Sequence, residues 1–205
     1  MKALLIIDMQ NDFMPWGALP VFGADRLFAP IIALSKTFSH IYATQDWHPK
    51  DHISFASNHG KRPQEEIRAP YGTQILWPDH CVQETLGAEL VKPIGDLPIK
   101  KIFRKGVKSS VDSYSAFFDA SGKVATSLEK ELQKEKVQEL YVVGVAGDYC
   151  VKYSLIDAAS LPFLESVFFV VDASEFTTKD PHVQERILRE LQKKNVHPIF
   201  SSHIV

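Results

Sequence analysis

The stretch ELYVVGVAGDYCVKYSLIDAA, at residues 139–159, joins an apolar run to a helical pattern and places a cysteine at the junction. Leu140–Val145 has the composition of a buried strand, a short turn follows, and Cys150 begins the helical pattern. In the first turn of a helix, unpaired backbone N–H groups and the helix dipole favour negative charge. We therefore expect Cys150 to have a lowered thiol pKa and to act as a nucleophile beside an oxyanion site. The alternative is a small cysteine buried in the core.

The composition indicates an ordinary globular protein. The 205 residues carry a formal net charge of −2, and 45% of them are hydrophobic, which suits one domain with a substantial core. The charge balance gives no reason to expect nucleic-acid binding, and the apolar runs are too short for a membrane span or a signal peptide. Two cysteines do not make a disulfide framework, so we expect a cytoplasmic protein. The glycine-rich loops that bind nucleotides and the Gly-x-Ser-x-Gly motif of serine hydrolases do not occur in the sequence.

Strand-like apolar runs alternate with helical patterns along the chain. The predicted strands lie at 3–7, 40–44, 100–104, 140–145, 166–171 and 197–200, and the predicted helices at 24–38, 127–136 (capped by Ser127), 148–160 and from Asp180 onward. Between residues 47 and 98 there is little periodicity beyond a short helix near 85–90, and loops of this length are usually functional. The alternation predicts one α/β domain over residues 1–205, a three-layer fold in which helices flank a mainly parallel six-stranded sheet.

Chemically capable side chains follow four of the predicted strands: Asp8, Asp46, Lys105 and Cys150. In open parallel sheets ligands bind beyond the carboxyl ends of the strands, so these side chains should meet at one edge. A partly buried Asp8 could accept the thiol proton and pass it to a leaving amine, while Lys105 pairs with Asp8 and favours the thiolate. The alternatives are that the Asp8 carboxylate only hydrogen-bonds its own loop and that Lys105 is a solvated surface residue. Asp172 also follows a predicted strand, but it has no evident partner and is interpreted as a loop or cap residue.

A metal site is predicted beside these residues. Asp46 and His48 are two positions apart at a strand end, so they point the same way and can share one ion. His80, from the long loop region, would be the third ligand. Two nitrogen ligands and one oxygen ligand suit Zn²⁺ or another first-row divalent ion. His52 and His59 could compete with His80 as ligands. Cys81 could also bind a metal ion, but burial in the core is favoured for it.

With these residues assembled, the chain closely resembles the nicotinamidase/pyrazinamidase branch of the isochorismatase-like cysteine hydrolases over nearly its whole length. The resemblance is carried by blocks in the family's order: LLIIDMQNDF (4–13), TQDWHPKDHISFA (44–56), ILWPDHCVQ (75–83), FRKG (103–106), VDSYSAFFD (111–119) and GVAGDYCVKYSLIDA (144–158). It implies a catalytic triad of Asp8, Lys105 and Cys150. It also implies a metal site formed by Asp46, His48 and His80. His52 is the nearest match to an additional metal histidine of some members, but its spacing differs and we leave it out of the ligand set.

The resemblance also implies a substrate pocket. Phe13 and Trp77 resemble the aromatic pair that sandwiches a pyridine ring, and Tyr114 resembles a further pocket residue. A cis peptide at Val145–Ala146 is implied as well, and it would turn the Ala146 and Cys150 N–H groups toward an oxyanion.

The reaction implied by the resemblance is the hydrolysis of nicotinamide to nicotinate and ammonia through a cysteine thioester, in NAD salvage. The implied cofactor is one divalent ion, expected to be Zn²⁺, with Fe²⁺ and Mn²⁺ as the alternatives. A related amidohydrolase acting on another small amide or an N-carbamoyl compound is the first rival interpretation, and a non-catalytic scaffold protein is the second. Attack by metal-bound water instead of the thiol is the rival mechanism. The sequence leaves open whether the protein forms a homo-oligomer.

Overall fold

The computed structural model describes residues 1–204 of the chain. The strands are β1 (Lys2–Ile7), β2 (Ile41–Asp46), β3 (Glu66–Ala69), β4 (Gly72–Ile75), β5 (Lys101–Lys105), β6 (Glu139–Val145), β7 (Ser166–Glu175) and β8 (Val196–Ile199). The helices are α1 (Phe28–Ser35), α2 (Lys92–Gly95), α3 (Leu128–Lys134), α4 (Cys150–Ala159) and α5 (Pro181–Lys193). Short 3-10 turns occur among them, including Asn11–Phe13 and Leu86–Ala88.

Six strands form a parallel sheet in the order β5-β2-β1-β6-β7-β8. The central strand β1 is buried on both faces, because Ala3–Ile7 have no solvent exposure. Side chains of α3, α4 and α5 cover one face of the sheet, and those of α1 and α2 cover the other. The predicted α/β class, the parallel six-stranded sheet and the flanking helices are therefore confirmed. Among the helices within residues 1–204, none has both the length and the apolar character needed to span a membrane.

The long region between β2 and β5 is more ordered than predicted. Strands β3 and β4 form an antiparallel hairpin in which Glu66 faces Ile75 and Ala69 faces Gly72. Each strand has only four residues, and most of them are partly or fully exposed, so there is no apolar alternation to signal a strand. The short helix expected at 85–90 is a single 3-10 turn.

Three local predictions need correction. The helix expected over 24–38 begins as a 3-10 turn at Ala24–Leu27 and ends at Ser35. The start of α3 is capped by Thr126, whose hydroxyl accepts a 3.0 Å hydrogen bond from the Leu128 N–H, and not by the Ser127 side chain.

The third correction concerns Asp172, which is neither in a loop nor at a strand end. It lies inside β7, which continues to Glu175. Its carboxylate accepts hydrogen bonds from the backbone N–H and the hydroxyl of Ser201, at 2.7 and 2.6 Å. Asp172 therefore fixes the segment after β8 and takes no part in the cluster described next.

Candidate active site

The parallel sheet delivers four reactive side chains to one edge. Asp8 directly follows β1, Asp46 and Lys105 are the last residues of β2 and β5, and Cys150 begins α4 after the turn that ends β6. Because β5, β2, β1 and β6 are consecutive neighbours running the same way, their carboxyl ends converge. All four side chains are buried.

The Lys105 ammonium lies at the centre of this cluster. Its Nζ atom is 2.9 Å from Asp8 Oδ2 and 2.5 Å from Asp46 Oδ1. The same atom donates hydrogen bonds to Cys150 Sγ at 3.3 Å and to the Ser113 carbonyl oxygen at 3.1 Å. One cation thus touches both carboxylates and the thiol, in a place from which water is excluded.

Burial and charge shape the ionisation of these groups in opposite directions. Burial raises the pKa of the Asp8 carboxyl, against the lowering effects of the Lys105 ammonium and of the Thr44 hydroxyl, which donates to Asp8 Oδ1 at 2.6 Å. Burial alone would raise the pKa of Asp46 too, but Lys105 and the neighbouring His48 hold it below its usual range. Burial opposes the charge on Lys105, yet the two carboxylates raise the pKa of its ammonium well above the ordinary value. Lys105 is therefore a permanent cation.

The predicted lowering of the Cys150 pKa is wrong for the protein without substrate. Burial raises the pKa of the thiol well above its ordinary value, and the nearby Asp8 and Asp46 carboxylates add to this, against the lowering effect of Lys105. The resting form is therefore a thiol next to the carboxyl group of Asp8.

The turn before Cys150 contains the cis peptide that the resemblance implied. The Val145–Ala146 peptide is cis, and the Ala146 carbonyl accepts hydrogen bonds from the N–H groups of Tyr149 and Val151, at 3.0 and 3.1 Å. The carbonyl of Ala146 is thereby turned toward α4, beside the first residue of that helix.

The predicted metal ligands also come together. Donor atoms of Asp46, His48 and His80 all lie within 4.8 Å of one another. The Nδ1–H groups of His48 and His80 donate to the backbone carbonyls of Gly106 and Pro78, at 2.9 and 2.7 Å, which leaves Nε2 of each ring for a ligand. Burial, with the nearby His48, lowers the pKa of His80 to about 4, so this imidazole is neutral and able to bind a cation. The donor set and its backbone supports fit a divalent metal ion.

His52 contacts this site without offering it a free nitrogen. Its ring stacks on His48 with 4.1 Å between centroids. Its Nε2–H donates to the Val111 carbonyl at 3.3 Å, and its Nδ1 accepts from the Ser54 hydroxyl at 2.7 Å. Burial lowers its pKa to about 3. His52 therefore packs behind His48 as a neutral ring. Its donor atom also lies within 4.8 Å of donor atoms of His48 and Asp112, so its exclusion from the ligand set stays a prediction.

A pocket of about 440 Å³ opens onto the cysteine and the metal ligands. All the predicted pocket residues line it, namely Phe13, Trp77, Tyr114 and Ala146. Cys150, Asp46 and His80 line it as well. The rings of Phe13 and His80 are 5.6 Å apart between centroids, and the Trp77 indole N–H donates to the Tyr114 hydroxyl at 2.9 Å. Aromatic side chains therefore form part of the pocket wall, next to the thiol and to two of the candidate metal ligands.

Sequence reasoning missed several residues that support the site. Gln10 exchanges two 2.8 Å hydrogen bonds with the backbone of Asp46, Thr44 binds Asp8 as described, and Tyr149 lines the pocket. Thr44 could have been found, because it is two positions before Asp46 on β2 and therefore points to the same face. No local pattern identifies Gln10, whose partners are distant in sequence.

Comparison with known proteins shows which family this chain matches and which solved structures it is similar to. Residues 2–200 match the family model described as the isochorismatase domain. The chain is 42% identical, over 99% of its own length and 94% of the relative's, to a nicotinamidase from Acinetobacter baylyi. It superimposes with a TM-score of 0.90 and 38% identity on yeast nicotinamidase bound to the inhibitor nicotinaldehyde, covering 98% of this chain and all of the other. For the pyrazinamidase of Pyrococcus horikoshii in complex with zinc, the TM-score is 0.78 and the identity 35%, covering 97% and 98% of the two chains.

Proposed function

This chain belongs to the isochorismatase family of hydrolases and is an amidohydrolase, and we propose that it is a nicotinamidase, which converts nicotinamide and water to nicotinate and ammonia. The observation that carries the proposal is the buried contact of Lys105 with Asp8, Asp46 and Cys150 at the floor of an aromatic pocket. The similarity to nicotinamidases over nearly the full length supports it. Residues 1–205 then serve as one hydrolase domain, and the region 47–98 contributes His48, Trp77 and His80 to the site.

The first half of the proposed reaction forms a thioester. Asp8 accepts the proton of the Cys150 thiol, and the sulfur attacks the amide carbon. Asp8 then gives this proton to the amide nitrogen, and ammonia leaves as the carbon–nitrogen bond breaks. The raised pKa of Asp8 suits this exchange, because the group must both take and return a proton near neutral pH.

The second half restores the thiol. Asp8 takes a proton from water, the resulting hydroxide attacks the thioester carbon, and the carbon–sulfur bond breaks to release nicotinic acid, which gives its proton to the released ammonia or to solvent and becomes nicotinate. The sulfur then recovers its proton from Asp8. Lys105 stabilises negative charge on the carboxylate and on the sulfur in turn, since it contacts both. The N–H groups of Ala146 and Cys150 are proposed to bind the oxyanion that forms between these steps.

Substrate orientation is proposed to come from the rings and the metal. Phe13 and Trp77 hold the two faces of the pyridine ring, and Tyr114 supports Trp77. Asp46, His48 and His80 would hold one divalent ion, and Zn²⁺ is the expected species because the similar archaeal pyrazinamidase was solved with zinc. When bound, the ion supplies a Lewis acid that orients the ring nitrogen directly or through a water ligand. We further propose that the nicotinate enters NAD salvage in the cytoplasm.

The decisive experiment measures ammonia release from nicotinamide by the purified parent and by Cys150→Ala, with the metal content of both determined. Release by the parent and a loss of at least about 10³-fold in the variant would support both the reaction and the nucleophile. Metal-loaded parent that releases no ammonia from nicotinamide, but does so from another small amide or an N-carbamoyl compound, would favour the related amidohydrolase. Equal release by both proteins would indicate attack by water instead of the thiol.

A further inference from the structure

We propose that Tyr114 limits the size of the substrate ring, because its side chain is the wall between the pocket at Cys150 and a larger groove on the surface. This inference rests on the proposed nicotinamidase function and concerns which amides reach the thiol. The predicted class of excluded substrate is a pyridine-3-carboxamide that carries an aryl substituent on its ring.

Two cavities meet at this wall. The pocket at Cys150 measures about 440 Å³ and the neighbouring groove about 1340 Å³. Tyr114 and Tyr149 line both cavities, whereas the remaining lining residues belong to one or the other. The groove is lined with further aromatic and polar side chains, which include Tyr71, Phe118, Tyr153 and Asp157. It therefore offers room and stacking surfaces for a ring substituent, provided that the wall is open.

Tyr114 is held in the closed position from both sides. On the pocket side its hydroxyl accepts the 2.9 Å hydrogen bond from the indole of Trp77. On the groove side its ring stacks on Tyr153, with 5.5 Å between centroids and 20° between planes. Tyr153 lines the groove but not the pocket, and 43% of its surface is exposed. A side chain fixed in this way acts as a rigid partition instead of a mobile one.

Of the two shared tyrosines, Tyr114 is the one that can control size without moving the nucleophile. Tyr149 directly precedes Cys150 in the turn before α4, where its backbone has the unusual dihedral angles φ −126° and ψ −103°, so a substitution there acts next to the nucleophile itself. Tyr114 lies on the separate segment between β5 and α3. Shortening its side chain joins the pocket to the groove and leaves that turn intact.

The test compares kcat/KM for nicotinamide with kcat/KM for nicotinamides that carry a phenyl group at ring position 5 or 6. We expect Tyr114→Ala to increase the ratio of phenylated to unsubstituted kcat/KM by at least about 10-fold for one of the two isomers, since steric exclusion from a pocket is worth this much or more. The matched control is Tyr71→Ala, which removes a tyrosine that lines the groove but not the pocket and leaves both contacts that hold Tyr114 in place. Its ratio should equal that of the parent.

A folded Tyr114→Ala protein with the parent's ratio would overturn the inference, and so would an equal gain in Tyr71→Ala. If Tyr114→Ala does not fold, Tyr114→Leu shortens the same side chain and keeps an apolar residue there. Parent protein that leaves nicotinamide intact would refute the proposed function separately. The wall is then tested by calorimetry with nicotinic acid and its phenylated forms, where tighter binding of a phenylated acid to the Tyr114 variant supports the inference and unchanged relative binding refutes it.

Discussion

Lys105 and Asp8 form a 2.9 Å ion pair in which neither side chain has any exposure to solvent. The same ammonium also neutralises the buried Asp46. Taking such charges out of water costs several kcal/mol per ion, and this cost is offset only while each ion keeps its partner. The buried ion pairs therefore stabilise the fold only when Lys105, Asp8 and Asp46 are all present.

Replacing the cation alone should destabilise the fold. We expect Lys105→Met, which keeps the length of the side chain, to lower the free energy of unfolding by about 3–5 kcal/mol, because two carboxylates lose their buried partner. Urea denaturation at pH 7 measures this loss. Adding Asp8→Asn to Lys105→Met should recover part of it, since one of the uncompensated charges is then removed. A double variant no more stable than Lys105→Met would contradict this account.

The hydroxyl of Thr44 should set the acidic limit of activity. Its 2.6 Å hydrogen bond to Asp8 lowers a carboxyl pKa that burial has raised. In Thr44→Val this pKa rises further, so the ionised base is lost at a higher pH as the solution is acidified. The acidic limb of the kcat/KM profile should move upward by about one to two pH units, since a hydrogen bond to a charged group is worth about 1.5–3 kcal/mol.

Thr44→Ser retains the hydroxyl and is the control for this profile. Its acidic limb should coincide with that of the parent, and all three profiles should converge at alkaline pH, where Asp8 is ionised in each protein. An unshifted acidic limb in Thr44→Val would show that Asp8 does not control it.

Gly106 should be required for the orientation of His48. It has φ of +61°, and a Cβ atom added there would lie 2.3 Å from Cε1 of His48. Gly106→Ala must displace the imidazole or the carbonyl that accepts its Nδ1–H, and we expect metal affinity to fall by about 10–100-fold. Competition with a chromogenic chelator measures this affinity.

Gly122 provides a matched control for Gly106. It has φ of +77°, and an added Cβ would meet no atom within 4 Å. Gly122→Ala therefore carries the cost of the left-handed backbone alone, and its metal affinity should equal that of the parent. An equal loss of metal in both variants would assign the effect to the backbone and not to the contact with His48.

Removing one predicted metal ligand should empty the site. We expect His48→Ala to copurify with less than about a tenth of the parent's metal, because three protein ligands are needed for a tight site of this kind. His59→Ala is the control, since His59 is exposed and lies outside the predicted ligand set. Elemental analysis that finds equal metal in His48→Ala and the parent would refute the assignment.

Much of this arrangement follows from the sequence because the sheet is parallel and buried. Continuous apolar runs such as Ala3–Ile7 identify strands that are covered on both faces, and the polar residue after each run must then lie at the common edge. This rule predicts that Asp8, Asp46, Lys105 and Cys150 come together. It does not extend to Asp172, because β7 continues past the end of its apolar run.

The ionisation of the cysteine could not be predicted from its place at the start of a helix. The helix dipole favours a thiolate, but burial beside Asp8 and Asp46 opposes it, and the burial of Cys150 depends on residues that are distant in sequence. The β3–β4 hairpin was missed for a different reason, since its short polar strands carry no periodic signal. Local sequence patterns therefore miss two kinds of feature, namely burial by residues distant in sequence and the pairing of short exposed strands.

The pairing of β1 with β6 determines when the protein can become reactive during its synthesis. Residues 2–7 pair with β2 on one side and with residues 139–144 of β6 on the other, and the Cys150 thiol lies beyond this second partner strand. A growing chain that has emerged as far as β5 already contains Lys105, both carboxylates and the metal ligands, yet it has no cysteine at position 150. On the proposed mechanism, products of stalled translation or of cleavage ahead of β6 lack the nucleophile, and Cys150 reaches Asp8 only after the ribosome has delivered most of the chain.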